Sequence, residues 1–432
     1  MPSATPPSTR RTKRIFGGLI GLFVTGLLLV WWRIAGDDSA VMIPTPSMPS
    51  PNGYDTYWAA EHALVGANQI DNVGNPSAPK PMTLEQKEAI LQRNAPALQI
   101  LHQGFAYEYR SPPVRSNDTP VPHYADFLRI PRLLALQSRV RGARGAWSGA
   151  ADSALDAIRI GEDIPRGGIS LIQGIGLSGQ SIGRKPMWAA LEHLNAAQAR
   201  VAAQRLQTIL DRHVPYAETL QEEKWFGQAT LEEILRSVNL RNALAATDTW
   251  IGGDAPPSQR YSTAFSLLYG RKGIRQSYIE CMDALSDRAR RPYAAKLPPP
   301  VPNDFLNQAM DWVYEAHRFD DVRAETQNRL LLVSLALRAY RLEHGGYPVS
   351  LAELAPAYLK QIPDDPFALK GAFLYRINGQ KYVLYSVGPD GKDNGGTPID
   401  DPKLATAISP NARYNIVKQD SVGDIVAGKN LH

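Results

Sequence analysis

Residues 373–385 read FLYRINGQKYVLY, and this stretch decides the fold of the C-terminal part of the chain. Phe373, Tyr375 and Ile377 alternate with other residues, and a second apolar run follows Asn-Gly at 378–379. Alternation is typical of a strand with one buried face, and Asn-Gly favours the tight turn that joins two antiparallel strands. The sequence therefore predicts a β-hairpin here.

A long helix is expected before the hairpin. Residues 304–343 have helical periodicity, and the second half is so apolar that it must be covered on most sides. Glycines at 345–346 end this helix. Ser350 with Glu353 three residues later has the spacing of a capping box, which predicts a short second helix. Together these elements predict a small α+β domain at 304–432, with one helix lying on an antiparallel sheet.

An acidic, glycine-rich loop, PDGKDNGGTPIDD at 389–401, follows the hairpin. Carboxylate oxygens in a loop that can curl around an ion suit calcium, whereas the alternative is a solvated turn capped by its own side chains. The loop is not an EF-hand, because Lys392 stands at the third position, where a ligand belongs, and the twelfth position is not Glu. The candidate metal ligands are Asp390, Asp393, Asp400 and Asp401.

These segments resemble the soluble part of the major pseudopilin of type II secretion, protein G, over roughly residues 321–401. The resemblance rests on Gly-Gly-Tyr-Pro at 345–348, Pro-Asp-Asp-Pro at 363–366 and Ser-Val-Gly-Pro-Asp-Gly at 386–391. It implies a calcium ion bound structurally in the acidic loop. Asp390 and Asp400 match the acidic positions of the family best, and Asp393 and Asp401 match them less securely.

The N-terminal part of the chain predicts a single membrane anchor. Four basic residues precede Ile15, and the 18 residues from Ile15 to Trp32 carry no charge. A helix of that length spans about 27 Å, close to the roughly 30 Å of the hydrocarbon core, and the basic flank stays in the cytoplasm. A cleaved signal peptide is the alternative. We therefore expect a cytoplasmic tail at 1–14, an anchor at 15–36 and a Pro-rich spacer at 37–53, with the bulk of the chain outside the inner membrane.

Most of residues 54–296 has helical periodicity, which predicts an α-helical bundle or a short solenoid-like domain. A Pro-rich linker at 297–303 is the expected boundary with the C-terminal domain. The predicted fold class is thus mainly α: an anchor helix, an extracytoplasmic helical domain and a small pseudopilin-like α+β domain. The helices are expected at 83–103, 124–141, 150–163, 187–213, 216–247 and 262–290.

This whole arrangement is similar to membrane-anchored proteins of bacteria such as planctomycetes, a resemblance of architecture that implies no particular activity. It departs from the pseudopilins in one respect. Their helix begins at the membrane with a processing site, whereas the corresponding helix of this chain begins at residue 304. We therefore do not expect the chain to enter a pseudopilus in the usual way.

Composition and motifs narrow the classes of function. The net charge of +5 over 432 residues is too small for a dedicated nucleic-acid binder. Cys281 is the single cysteine, which excludes an intramolecular disulfide and a cysteine-based zinc cluster. Residues 174–179 fit G-x-G-x-x-G, but no strand–helix–strand unit surrounds them, so neither a dinucleotide site nor another small-molecule cofactor is expected.

The function expected from the sequence is binding or scaffolding at the cell envelope, with secretion or surface assembly as one version of that role. The rival is an extracytoplasmic hydrolase whose site lies in the helical domain, although no catalytic residue stands out in the sequence. The expected partners are the membrane and either an envelope protein or an anionic polymer. The basic residues that would meet a polymer, or else lie on solvated helix faces, are Arg139, Arg141, Arg144, Arg288, Arg290 and Arg291.

Overall fold

The chain is mainly helical, with a small three-stranded antiparallel sheet near its C-terminus. The computed structural model describes residues 42–71, 82–116, 124–237, 257–295, 305–404, 413–414 and 416–430. The predicted tail at 1–14, the anchor at 15–36 and the linker at 297–303 lie outside these residues. No helix within the described ranges is long and apolar enough to cross a membrane.

Short helices begin the body, and longer ones follow. The helix predicted at 83–103 is in fact two helices, because the Asn94 side chain bonds the backbone at the join, 2.9 Å from Ile90 O and 3.1 Å from Val65 O. The helices are α1 (Gly53–His62), α2 (Ala67–Asp71), α3 (Leu84–Arg93), α4 (Ala95–Gly104), α5 (Arg129–Ala143), α6 (Trp147–Asp163), α7 (Ser170–Leu191), α8 (Ala196–Leu210), α9 (Tyr216–Ser237), α10 (Pro257–Ala289) and α11 (Phe305–His344).

The helix predicted at 187–213 has the wrong N-terminal boundary. Its first residues belong to α7, and α8 begins after Asn195, whose side chain accepts a hydrogen bond from Gln198 N at 2.9 Å. Gln198 in return accepts one from Asn195 N, which completes a capping box. An Asn that satisfies the free N–H groups of a first turn starts a new helix more readily than it continues an old one.

The G-x-G-x-x-G motif lies inside α7 and forms a close contact between helices. Gly176 and Gly179 face Gly161 of α6, and a Cβ on Gly176 would lie 2.6 Å from Gly161 O. A Cβ on Gly161 would lie 2.4 Å from the backbone N of Gln180. Only residues without a side chain allow two helix backbones to approach this closely. The motif therefore serves helix packing.

The predicted hairpin is confirmed. Strands β1 (Leu374–Asn378) and β2 (Lys381–Ser386) pair antiparallel, and Asn378 lies opposite Lys381 across the tight turn, where Gly379 has a φ of 61°. The sheet gains a third strand, β3 (Ile425–Val426), on the other edge of β2. The sequence does not predict β3, since two residues are too few for an alternating pattern.

The capping box at Ser350 is also confirmed. Ser350 Oγ accepts a hydrogen bond from Ala352 N at 3.3 Å, and Glu353 Oε1 accepts one from Ser350 N at 3.0 Å. The short helix that it opens, Leu351–Leu354, is a 3₁₀ helix. Leu351 and Leu354 are buried against the apolar half of α11, so this turn covers one side of the long helix.

One hydrophobic core joins the helical body to the C-terminal part. Leu155 of α6, Leu206 of α8, Leu335 of α11 and Leu384 of β2 are all buried in this core. The apolar half of α11 lies between α7 and α8 on one side and the sheet on the other, because its side chains are apolar all round. The two parts that the sequence assigns to separate domains therefore share their main core.

The end of the predicted spacer that the structure describes lies against the body. Arg115 Nε donates a hydrogen bond to Pro44 O at 3.1 Å. Asn52 Nδ2 donates to Arg110 O at 2.9 Å, and Gly53 N donates to Glu108 O at 2.9 Å. The chain is thus attached to the body from residue 44 onward, since these bonds tie it to the segment after α4.

Candidate functional site

The first two candidate metal ligands hold the turn of the acidic loop. Asp390 accepts hydrogen bonds from Lys392 N at 3.0 Å and from Asn394 Nδ2 at 3.1 Å. Asp393 accepts from Gly395 N at 2.8 Å and from the Tyr385 hydroxyl at 3.0 Å. Such bonds are typical of aspartates that cap their own turn.

The other two candidates lie further along the loop and have different partners. Asp400 forms a two-pronged ion pair with Arg413, whose hydrogen bonds hold the pKa of that carboxyl below its ordinary value. Asp401 accepts a hydrogen bond from Lys403 N at 3.2 Å. The structure therefore does not gather the four aspartates at one point. Within the ranges it describes, no three His, Cys, Asp or Glu side chains form a group that could hold a metal ion.

A fifth aspartate, which the sequence does not single out, closes the loop. The Asp424 carboxylate is fully buried and accepts hydrogen bonds from three backbone N–H groups, those of Asn394 at 3.2 Å, Gly396 at 2.7 Å and Thr397 at 3.1 Å. Burial raises the pKa of Asp424, although these bonds oppose the rise. Asp424 lies far from the loop in sequence and immediately before β3, so no local spacing reveals it.

A buried ionic cluster lies where the body meets α11, and the sequence does not indicate it. His213, which follows α8, lies between two buried carboxylates. Its Nδ1 is 3.1 Å from Glu162 Oε2 on α6, and its Nε2 is 3.7 Å from Asp321 Oδ2 on α11. Burial alone would lower the pKa of His213, but the charges of Asp321 and Glu162 outweigh burial and hold that pKa well above its ordinary value. The imidazolium thus bridges the two helices.

Amide side chains extend this cluster along the interface. Asn328 of α11 donates to Glu162 Oε1 at 3.1 Å and to Gln180 Oε1 of α7 at 2.9 Å. Asn328 Oδ1 in turn accepts a hydrogen bond from Arg184 Nη1 at 3.1 Å. Burial lowers the pKa of Arg184 to about 9. Because both ring nitrogens of His213 already face carboxylates, we interpret the cluster as structural.

An open groove of about 530 Å³ lies between α4 and α5. The ring of His102 is half-exposed in this groove, and its Nε2 is 3.0 Å from Oδ2 of the buried Asp156 on α6. Asp156 is also ion-paired with Arg205, so its carboxylate is fixed behind the histidine. The residues lining the groove are Leu91, Ala95, Leu98, Gln99, His102, Gln103 and Gln137.

The basic residues expected to meet an anionic polymer are largely engaged within the protein. Arg144 pairs with Glu88 at 2.8 Å, and Arg288 pairs with Glu315 at 3.2 Å. Arg141 donates to Gly149 O at 3.0 Å and to a neighbouring serine. These bonds give Arg141, Arg144 and Arg288 a structural role within the protein, and binding to an anionic polymer stays a prediction.

Comparison with known proteins identifies no relative of this chain: no family model, curated protein or solved structure matches it. The function is therefore inferred from the chain's own residues. The His102 groove and the acidic loop both present polar side chains of the described ranges to solvent.

Proposed function

We propose that the protein is a single-pass inner-membrane protein whose extracytoplasmic body binds a partner at the cell envelope. The observation that carries this proposal is the groove between α4 and α5, which is open to solvent and lined by amide and apolar side chains. Among the described residues of that lining, His102 is the one titratable side chain. A catalytic cleft normally brings several titratable groups together, whereas a binding groove needs shape and hydrogen-bonding groups.

The anchor at 15–36 and a structural calcium ion in the loop at 389–401 are parts of the same proposal. The charge pattern of the N-terminus supports the anchor, and the resemblance to pseudopilins supports calcium. The loop already has internal hydrogen bonds, so an ion bound there would have to compete with Arg413 for Asp400. A calcium ion would add order to a loop that is closed without it.

Photocrosslinking in intact cells tests the proposal. A photoreactive residue replaces Gln103 in the groove, and a matched control carries it at Gln204, which is exposed on α8. We expect a discrete adduct with an envelope component from position 103 alone. A reporter that is active only in the cytoplasm, fused after His432, should be silent. Reporter activity, or equal adducts from both positions, would refute the envelope-binding role.

A second candidate function is an extracytoplasmic hydrolase, and the His102–Asp156 pair is the observation that favours it. Asp156 accepts the Nε2 proton, and Nδ1 has no hydrogen-bond partner among the described residues, so it is placed to take a proton from water as a general base. His102→Ala separates the two functions. If the protein is a hydrolase, the variant loses turnover and uncleaved substrate accumulates in cells. If it is a binding protein, the variant leaves the chain length of the bound partner unchanged.

A further inference from the structure

We infer that the groove between α4 and α5 binds an uncharged, extended peptide segment, an inference that rests on the binding role proposed above. The described residues of the lining include no Asp, Glu, Lys or Arg. A charged peptide would lose hydration on entering the groove and would find no oppositely charged side chain there, which is unfavourable. The volume of about 530 Å³ lies within the range of ordinary ligand sites.

The spacing of two glutamines matches the repeat of an extended chain. Gln99 and Gln103 are four residues apart on α4, which places them about 6 Å apart along the helix axis. An extended peptide presents equivalent backbone groups on one side every two residues, or about 6.6 Å. Each glutamine amide both donates and accepts, as a peptide unit does, and neither makes a side-chain hydrogen bond within the described part of the chain.

The rest of the groove supplies a hydrogen-bond donor and an apolar surface for the other sides of such a peptide. Gln137 on α5 faces α4 across the groove, and its Oε1 already accepts a hydrogen bond from Ser153 at 2.8 Å. The Nε2 of Gln137 therefore remains available to donate to a peptide carbonyl. Leu91, Ala95 and Leu98 supply an apolar surface for alternate side chains. Main-chain bonds then provide affinity, and the apolar surface provides the preference for sequence.

A sugar chain is the competing ligand for a groove of this size. The strongest hydrogen bonds to the hydroxyl groups of a sugar come from ionised partners, among them carboxylates. No carboxylate belongs to the lining within the described ranges, since Asp156 lies behind His102 and is ion-paired with Arg205. The lining therefore favours the peptide.

Fluorescence polarisation on the full chain in detergent micelles tests this inference. The probe is a fluorescein-labelled heptapeptide of alternating alanine and threonine with blocked termini. We expect saturable binding that weakens at least tenfold in the double variant Gln99→Ala/Gln103→Ala, which removes both amides. Gln92→Ala should bind as the unchanged protein does, because Gln92 is exposed on α3 outside the groove.

The peptide assignment would be overturned by the absence of saturable binding, or by equal affinity in the double variant and the unchanged protein. Displacement of the peptide by a tetramer of N-acetylglucosamine that binds more tightly would also overturn it, in favour of the sugar chain. Crosslinking from position 103 in cells keeps this test separate from the proposed function. If that adduct forms while the heptapeptide fails to bind, the envelope role stands and the peptide assignment fails.

Discussion

Replacing His213 by glutamine should lower the free energy of unfolding by about 3 kcal/mol at pH 6. The change removes the positive charge between Glu162 and Asp321, whose side chains are only 3% and 8% exposed. Removing one partner of a buried ion pair costs about 3–5 kcal/mol, because the remaining charge is left without compensation. We expect the lower end of that range, since the His213 side chain is 19% exposed and water can reach the site.

The same cluster predicts how stability depends on pH. The raised pKa of His213 means that its stabilisation is complete below the ordinary value of about 6.5 and is lost as the pH rises through the folded-state pKa. Burial also raises the pKa of Glu325 on α11, so its ionisation opposes folding as the pH rises above the ordinary value for Glu. Both effects make the protein less stable at higher pH, and His213→Gln should flatten the decline above pH 6.5.

Urea unfolding of the full chain in detergent, followed by tryptophan fluorescence between pH 6 and pH 9, measures both effects. His62→Gln is the matched control, because that histidine is 56% exposed and should change stability by less than about 0.5 kcal/mol. Adding Glu162→Gln to His213→Gln should cost less than the sum of the two single changes, by about 1 kcal/mol or more. Additive costs, or a loss below about 1 kcal/mol for His213→Gln, would refute the bridging role.

Three further changes test other parts of the structure by thermal or urea unfolding. Gly161→Ala places a Cβ 2.4 Å from a backbone nitrogen of α7 and should lower the free energy of unfolding by about 2–3 kcal/mol. In the control Gly174→Ala, the new Cβ meets nothing within 4 Å, so this change should stabilise the protein slightly. Equal effects of the two changes would disprove the close helix contact. Asp424→Ala removes the carboxylate that accepts hydrogen bonds from three backbone N–H groups, of which only that of Thr397 has a second acceptor, Asn394 O at 3.3 Å, and should cost about 3 kcal/mol. The exposed Asp420→Ala should cause no measurable change, and a cost below about 1 kcal/mol for Asp424→Ala would show that water replaces the carboxylate. Calcium at ten times its dissociation constant should raise the free energy of unfolding by about 1.4 kcal/mol, and magnesium should raise it less. Asp390→Ala should show no stabilisation by calcium. Identical melting temperatures in calcium and in chelator would show that the loop binds no ion.

The local features of the C-terminal part were predictable because a few neighbouring residues encode each of them. Asn378-Gly379 specifies a tight turn, and the alternating residues before it indicate a strand, so the hairpin follows from adjacent positions. The alternation did not predict burial correctly, because Ile377 of β1 is 45% exposed. Ser350 and Glu353 predict a helix start in the same way. The boundaries of the helices in the body were harder to predict, because Asn94 and Asn195 each end one helix or start another within a continuous apolar periodicity.

The interactions that join distant segments could not be predicted from periodicity. His213, Glu162 and Asp321 belong to three separate segments, and no spacing relates a histidine after one helix to carboxylates on two others. The groove follows from the distance between α4 and α5, which depends on the packing of the other helices. Of the candidate ligands, Asp390 and Asp393 lie together in the turn, whereas Arg413 holds Asp400 separately.

The attachment of Pro44 and Asn52 to the body limits how far the protein can reach. With the proposed anchor ending at residue 36, the seven residues 37–43 are all the chain available between the membrane and the hydrogen bond at Pro44. Fully extended, seven residues span about 25 Å. If the segment at 15–36 is a membrane anchor, the edge of the body near Arg115 stays within that distance of the bilayer, and a partner bound at that edge lies close to the membrane surface.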